Sequence, residues 1–158
     1  MIRENKVAEP VAEEVFLRAA ARVLELMFFD SLCGRPAIQQ PPEDAALARV
    51  VFRGSRLGWL EIAVDANAAV ALAGNFLGLD EAPVWEEVES TLAELANMLC
   101  GAFLSLFDPH GSFEIGTPRI SHARNRAAEL DLDEHTCWQV LPIGAGGLYW
   151  RIFWEEIC

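Results

Sequence analysis

The chain has 158 residues, with 12 lysines and arginines against 24 aspartates and glutamates, so its formal net charge is −12. Hydrophobic residues make up 53 % of the chain, which excludes intrinsic disorder, and the length suits one compact domain, residues 1–158. The acidic charge disfavours nucleic acid and anionic lipid as direct partners, because their phosphates need a basic surface.

Two uncharged stretches, Ala66–Leu79 and Leu95–Phe107, are the candidates for membrane segments. Both are shorter than the ~18 to 20 apolar residues of a spanning helix, so we expect no membrane association. The beginning, MIRENKVAEP, lacks the apolar centre of a signal peptide, and we expect residues 1–10 to be a flexible N-terminal segment. The scattered cysteines have no metal-ligand spacing, and they predict reduced thiols in a cytoplasmic protein that binds no metal.

The first half of the chain predicts a helix, a hairpin and a second, shorter helix. Apolar residues recur at helical spacing in the first helix, and Gly34 and Pro36 end it. In the second strand of the hairpin, apolar residues alternate with residues such as Glu61, which predicts a sheet with one buried face. The predicted ranges are Val11–Leu32 for the first helix, Val50–Phe52 for the centre of the first strand, Trp59–Asp65 for the second strand and Ala68–Phe76 for the short helix.

The second half predicts a long helix followed by three strands. The glycine run Gly144–Gly147 predicts the turn of the last hairpin rather than a phosphate-binding loop, because no helix follows it. Pro118 marks an edge strand or the start of a strand. The predicted ranges are Pro83–Phe107 for the helix, Phe113–Ile120 for the next strand, and Trp138–Ile143 with Leu148–Trp154 for the hairpin. The fold class is therefore α/β, with long helices packed on a mostly antiparallel sheet and with pseudo-twofold symmetry between the halves.

The long helix carries the most informative pattern in the chain. At helical spacing, one narrow stripe is polar or small, whereas the helix is otherwise almost entirely apolar from Leu92 onward. The stripe consists of Glu87, Ser90, Glu94, Asn97, Gly101 and Ser105. Gly101 costs about 1 kcal/mol relative to alanine in a helix, and it leaves room for another backbone to come close. A carboxylate can hold a cation and a carboxamide can orient water, so the stripe fits either a solvated helix face or a site of phosphoryl hydrolysis.

The spacing Ser90-x-x-x-Glu94-x-x-Asn97, followed by Gly101 and Pro118, resembles the (D/S)xxxExxN…P signature of the CheC/CheX/FliY chemotaxis phosphatases. The resemblance extends from about Val11 to Trp154 and includes the order of helices and strands, although Pro118 is slightly nearer to Asn97 than in the family. Members of this family hydrolyse the aspartyl phosphate of the response regulator CheY. The resemblance implies that Asn97 enters the regulator's active site and orients the attacking water. It also implies that Glu94 pairs with the regulator's invariant lysine, and that Ser90, Gly101 and Pro118 contact the regulator.

Within the family, the chain looks like CheX, because CheX-like members carry the Glu/Asn pair on one of the two long helices, as this chain does, and CheC-like members tend to carry it on both. The first helix has Phe28 where an asparagine would follow Glu25. The resemblance implies a homodimer that binds no cofactor itself, since the regulator holds the Mg²⁺ of the reaction. The alternative hypothesis is a non-catalytic module of the same fold that binds a response regulator or a flagellar-switch component.

Overall fold

A computed structural model of the chain describes residues 10–122 and 137–156. Within these residues, three helices pack on a seven-stranded antiparallel sheet, which confirms the predicted fold class. The helices are α1 (Pro10–Met27), α2 (Ala66–Leu77) and α3 (Trp85–Phe107). The strands are β1 (Ala37–Ile38), β2 (Ala46–Gly54), β3 (Arg56–Val64), β4 (Phe113–Ile115), β5 (Arg119–His122), β6 (Gln139–Ile143) and β7 (Gly146–Glu156). The expected N-terminal segment lies outside the described residues, except for Pro10, which begins α1.

The order of the strands is β1-β6-β7-β3-β2-β4, and β5 also pairs with β2. This order is symmetric about the central pair of β3 and β7, because one hairpin lies on each side of it. Strand β1 follows α1 but pairs with β6, whereas β4 and β5 follow α3 and pair with β2. Two copies of one unit, each a long helix, a strand and a hairpin, would produce this arrangement if the strand after each helix paired with the hairpin of the other copy.

The main core lies between the helices and one face of the sheet. Phe16 of α1 stacks on Trp150 of β7 with the ring centroids 4.0 Å apart, and it lies 6.4 Å from Phe103 of α3. All three side chains are almost fully buried, and burying a large apolar side chain stabilises a fold by about 1.5–3 kcal/mol. Helix α3 is therefore held on both sides, by α1 and by the sheet.

Helix α3 is also long and apolar enough, by length and composition alone, to cross a membrane. However, the apolar side chains of α3 pack in the core, where Leu92, Leu95, Leu99 and Phe103 are buried. The central helix of a domain core passes the same length and composition test, so we assign α3 to the core.

Helix α1 ends five residues earlier than predicted, at Met27 rather than Leu32. Phe28 turns into the core and stacks on Phe76 of α2, with the ring centroids 4.9 Å apart. Phe29 then adopts a left-handed conformation, with φ of 51°, which a non-glycine side chain rarely takes. The carbonyl of Leu24 accepts hydrogen bonds from the N–H groups of Phe28 and Asp30, both at 3.1 Å. A tertiary contact ends this helix, so the expected stop at Gly34 was wrong.

The predicted strand Phe113–Ile120 is divided into β4 and β5 by residues 116–118. Both pieces pair with β2 at the edge of the sheet, and β5 begins directly after Pro118. The inference from Pro118 is confirmed, because the strand that follows it starts there and lies at an edge. The continuous strand was wrong, because Gly116 donates from its N–H to the Val51 carbonyl at 2.8 Å and the chain then leaves the sheet.

Part of the second face of the sheet is also buried, although Val51 and Leu57 on this face are about 40 % exposed. The alternation in β3 predicted only one buried face. Glu61 lies on this face and is fully buried. Its carboxylate accepts hydrogen bonds from Arg49 Nε and from Arg151 Nε, both at 2.9 Å. Its two cross-strand neighbours are these same arginines, so β2, β3 and β7 carry a row of alternating charges. A small apolar cluster shares the face and consists of Ala45, Leu47, Ala63, Trp138, Val140 and Tyr149.

Candidate functional site

The first turn of α3 fixes the direction in which the predicted stripe points. The carboxylate of Glu87 accepts a hydrogen bond from the Val84 N–H at 3.0 Å, which satisfies one backbone donor at the start of the helix. Thr91 is buried and donates to the Glu87 carbonyl at 2.8 Å. Glu87 therefore acts as a cap, and the part of the stripe open to a partner begins at Ser90.

Ser90, Glu94 and Ser105 are exposed, whereas Asn97 and Gly101 are half-buried. Among residues 10–122 and 137–156, no hydrogen bond or ion pair reaches the side chain of Glu94 or Asn97. Residues three apart on a helix are neighbours, so these two groups lie side by side on one face. The carboxylate and the carboxamide are thus both available to another molecule.

A cleft of about 430 Å³ opens beside Asn97. One wall is Asn97 itself, and the other is the end of β4 with the linker to β5, which consists of Ile115, Gly116, Thr117 and Pro118. This linker comes close to α3 because β4 and β5 both pair with β2, which lies next to that helix. The structure therefore brings Pro118 to Asn97, as the motif requires, and places Ser90, Glu94 and Gly101 along the same helix face.

Ile115, Gly116 and Thr117 are cleft residues that the sequence analysis did not single out. They were assigned to the interior of one continuous strand. A glycine and a proline two positions apart, Gly116 and Pro118, are unusual inside a strand and indicate an interruption. That pattern could have predicted a loop here, although the neighbourhood of Asn97 depends on the long-range pairing with β2.

Gly101 was expected to let another backbone come close. A Cβ atom built on Gly101 would contact only Ile115 Cδ1, at 3.8 Å, which is an ordinary van der Waals distance. Among the described residues, therefore, no backbone from outside the helix lies within 4 Å of that Cβ position.

The end of α1 offers no second site of the same kind. Phe28, which stands where the asparagine would be, is fully buried against Phe76. Glu25 is exposed, but it has no carboxamide beside it. A side chain at position 28 points into the core, so this position cannot present a group to a partner.

Other reactive groups do not contribute to this face. Cys100 lies in the core beneath the stripe, and burial raises the pKa of its thiol to about 12. The thiols of Cys33 and Cys137 are exposed. No group of three or more histidine, cysteine, aspartate or glutamate residues suited to a metal ion occurs in the described part of the chain.

The sequence profile of the chemotaxis phosphatase CheX matches residues 46–141, a range that includes α3 and the whole cleft. The chain belongs to the CheX family. This confirms the resemblance inferred from the motif on α3. A search of curated proteins found no match.

Solved structures of several family members have the same fold. A CheC-like superfamily protein from Shewanella sp. PV-4 is 21 % identical, with a TM-score of 0.71, and the match covers 94 % of this chain and 99 % of that one. CheX from Desulfovibrio desulfuricans is 16 % identical, with a TM-score of 0.71 and coverage of 92 % and 99 %. The CheX–CheY–BeF3–Mg²⁺ complex from Borrelia burgdorferi contains a chain that is 22 % identical, with a TM-score of 0.68 and coverage of 92 % and 98 %. At these identities, the likeness establishes the fold.

Proposed function

We propose that this CheX family protein hydrolyses the aspartyl phosphate of a CheY-type response regulator. The observation that carries the proposal is the pair of Glu94 and Asn97 on the open face of a helix that is otherwise held in the core. Membership of the CheX family and the CheX–CheY complex from Borrelia burgdorferi support the choice of partner.

Asn97 orients the attacking water in this proposal. A carboxamide donates and accepts hydrogen bonds but does not titrate, so it holds the water in line with phosphorus without taking its proton. The water oxygen forms a bond to phosphorus, and the bond from phosphorus to the aspartate oxygen breaks. The products are the free carboxylate of the regulator and dihydrogen phosphate, which retains both protons of the water. Loss of this positioning lowers the rate of hydrolysis by about 10²-fold.

Glu94 sets the docking register. Its exposed carboxylate is three residues before Asn97, so an ion pair with a lysine of the regulator fixes how deeply the asparagine enters. A charge at the rim of an interface acts on the rate of association and on its salt dependence. Ser90, Gly101 and Pro118 contact the regulator around this pair, and the Mg²⁺ of the reaction is held by the regulator.

We also propose that the protein is a homodimer, as the family resemblance implies. Sedimentation equilibrium would then give twice the 17.5 kDa mass of one chain.

The decisive experiment measures loss of phosphate from a phosphorylated CheY-type regulator. Wild type accelerates the loss, and Asn97→Ala reduces the acceleration by about 10²-fold. The matched control is Asn75→Ala, which removes an exposed asparagine from α2, away from the stripe, and leaves the rate unchanged. If wild type binds the regulator without accelerating the loss, the protein is a docking module and not a phosphatase.

A second pair of variants tests the docking charge. Glu94→Gln raises the KM for the phosphorylated regulator and weakens its salt dependence, because the ion pair is removed. Glu89→Gln removes a charge from the same helix but outside the stripe, and it leaves KM unchanged. Equal effects of the two substitutions would contradict the role given to Glu94, since they would report only the net charge of the helix.

A further inference from the structure

The linker between β4 and β5 presents a hydroxyl group to the cleft beside Asn97. Among the side chains that line this cleft, only those of Asn97 and Thr117 carry polar groups. Asn97 belongs to α3 and Thr117 to the linker, so the two groups lie on opposite walls. Thr117 is exposed, and within residues 10–122 and 137–156 no hydrogen bond reaches its side chain. The hydroxyl is thus available to a molecule that enters the cleft.

The linker holds Thr117 in place from both sides. On one side the N–H of Gly116 donates to the Val51 carbonyl at 2.8 Å, and on the other β5 begins directly after Pro118 and pairs with β2. The residue before a proline is restricted to extended conformations, and a β-branched side chain has few rotamers, so both restrictions apply to Thr117. Little conformational entropy is therefore lost when another group binds this hydroxyl.

The cleft is large enough to take a short segment of the regulator. Its volume of about 430 Å³ lies within the range of ligand-binding pockets in proteins. In the proposed function, Asn97 enters the regulator's active site. Because Asn97 is itself one wall of the cleft, the part of the regulator chain that surrounds Asn97 comes to lie in the cleft.

A protein segment that enters the cleft brings backbone N–H and C=O groups with it. Leaving such a group away from water without a hydrogen-bond partner costs free energy. The side chains of Ile115 and Pro118 are apolar, and the Asn97 carboxamide is assigned to the attacking water. The Thr117 hydroxyl can both donate and accept a hydrogen bond, so it suits either kind of backbone group.

We propose that Thr117 is a docking residue, whose hydroxyl hydrogen-bonds to a backbone group of the response regulator next to the phosphorylated aspartate. The inference rests on the proposed function, because Asn97 brings the regulator to this cleft. Thr117 complements Glu94 in docking. The Glu94 carboxylate attracts the regulator through a charge that salt screens, whereas the neutral hydroxyl makes a short-range contact that salt barely affects.

Thr117→Val tests the contact, because it keeps the shape of the side chain and replaces the hydroxyl with a methyl group. The variant leaves a backbone group of the regulator unpaired and raises the Kd and the KM about tenfold, at low and at high salt alike. It leaves kcat within about twofold, because an interaction made equally in ground and transition states acts on KM. The Kd is measured with a regulator loaded with Mg²⁺ and BeF3, a mimic of the phosphorylated state that is not hydrolysed.

Thr117→Ser and Ser112→Ala are the controls. Thr117→Ser retains the hydroxyl and keeps Kd and KM within about twofold of the wild-type values. Ser112→Ala removes an exposed hydroxyl from the segment before β4, outside the cleft, and leaves both constants unchanged. Thermal unfolding of all three variants verifies that each is folded.

The outcomes separate the contact of Thr117 from the phosphatase activity. If wild type hydrolyses the phosphate and Thr117→Val has an unchanged Kd and KM, the contact is refuted and the activity stands. The contact is also refuted if Thr117→Val lowers kcat alone, since the hydroxyl would then act on the reaction, or if Thr117→Ser loses as much affinity as Thr117→Val. If wild type binds the regulator without hydrolysis, the activity is refuted, and the Kd values of the same variants still decide the contact. If wild type neither binds nor hydrolyses, both proposals are overturned.

Discussion

Replacing Glu61 with glutamine removes the central charge from the row of three on β2, β3 and β7. The Glu61 carboxylate binds Arg49 through Oε2 at 2.9 Å and the Nη2 atom of Arg151 through Oε1 at 2.6 Å. The side chain of Arg151 is only 2 % exposed, so water cannot replace the Glu61 carboxylate when it is removed. We therefore expect Glu61→Gln to lower the free energy of unfolding, as measured by urea denaturation.

The magnitude follows from the burial of the two arginines. Arg49 is 24 % exposed and can turn towards solvent, whereas Arg151 stays buried against Trp138, 4.5 Å from the ring centroid, and loses the carboxylate that it shares with Arg49. Breaking a buried ion pair by removing one partner costs about 3–5 kcal/mol. Small domains have a total stability of about 5–15 kcal/mol, so the loss is a large share of it.

Glu14→Gln is the control, because Glu14 pairs with Arg18 at 3.1 Å on an exposed face of α1. The side chains of Glu14 and Arg18 are both about two-thirds exposed, and surface ion pairs of this kind contribute about 0–1 kcal/mol to the free energy of unfolding. Added salt should weaken the Glu14 pair further and should not restore the Glu61 variant, since a buried pair is poorly screened. A loss below about 1 kcal/mol for Glu61→Gln would refute the reasoning, because Arg151 would then be able to lose its partner at little cost.

Two further predictions concern the cysteines and the end of α1. At pH 8, a thiol reagent should modify the exposed cysteines of the folded protein, but it should modify Cys100 only after unfolding. The pKa of Cys100 is about 12 and its side chain is buried, so almost no accessible thiolate is present. Fast labelling of Cys100 in the folded protein, detected by mass spectrometry, would contradict its place in the core. Asp30→Asn should lower the free energy of unfolding by about 1–3 kcal/mol, measured by thermal or urea unfolding. The Asp30 carboxylate accepts hydrogen bonds from the backbone N–H groups of Gly144 and Ala145, and in the variant an amide nitrogen would face one of these donors. An unchanged stability would show that the β6–β7 turn does not depend on these hydrogen bonds.

The helices and most strands could be predicted from local patterns. The long helix was predicted to within two residues, because both its apolar periodicity and its ending at Asp108 are local properties. The end of α1 was not, because Phe29 takes a left-handed conformation where the sequence offers no glycine. What stops this helix is the stack of Phe28 on Phe76, which is a contact between distant parts of the chain.

The candidate site was likewise predictable only in part, where it depends on local spacing. Helical spacing alone put Glu94 and Asn97 on one face, and the resemblance added Pro118 to them. Ile115 and Thr117 could not be found by spacing, because their nearness to Asn97 depends on the pairing of β4 and β5 with β2. The burial of Glu61 was missed for a related reason, since the alternation within one strand does not show what covers each face.

Because the Glu/Asn pair lies outside the core, the fold and the proposed activity can change independently in evolution. Within the described residues, neither side chain belongs to the core, so we expect substitution of either to change the stability of the fold little. Under the proposed function, a descendant could therefore lose hydrolysis through one substitution at Asn97 and keep the fold that docks on the regulator. The reverse step is as short, because an asparagine returned to this half-buried position would lie on a helix that is already in place.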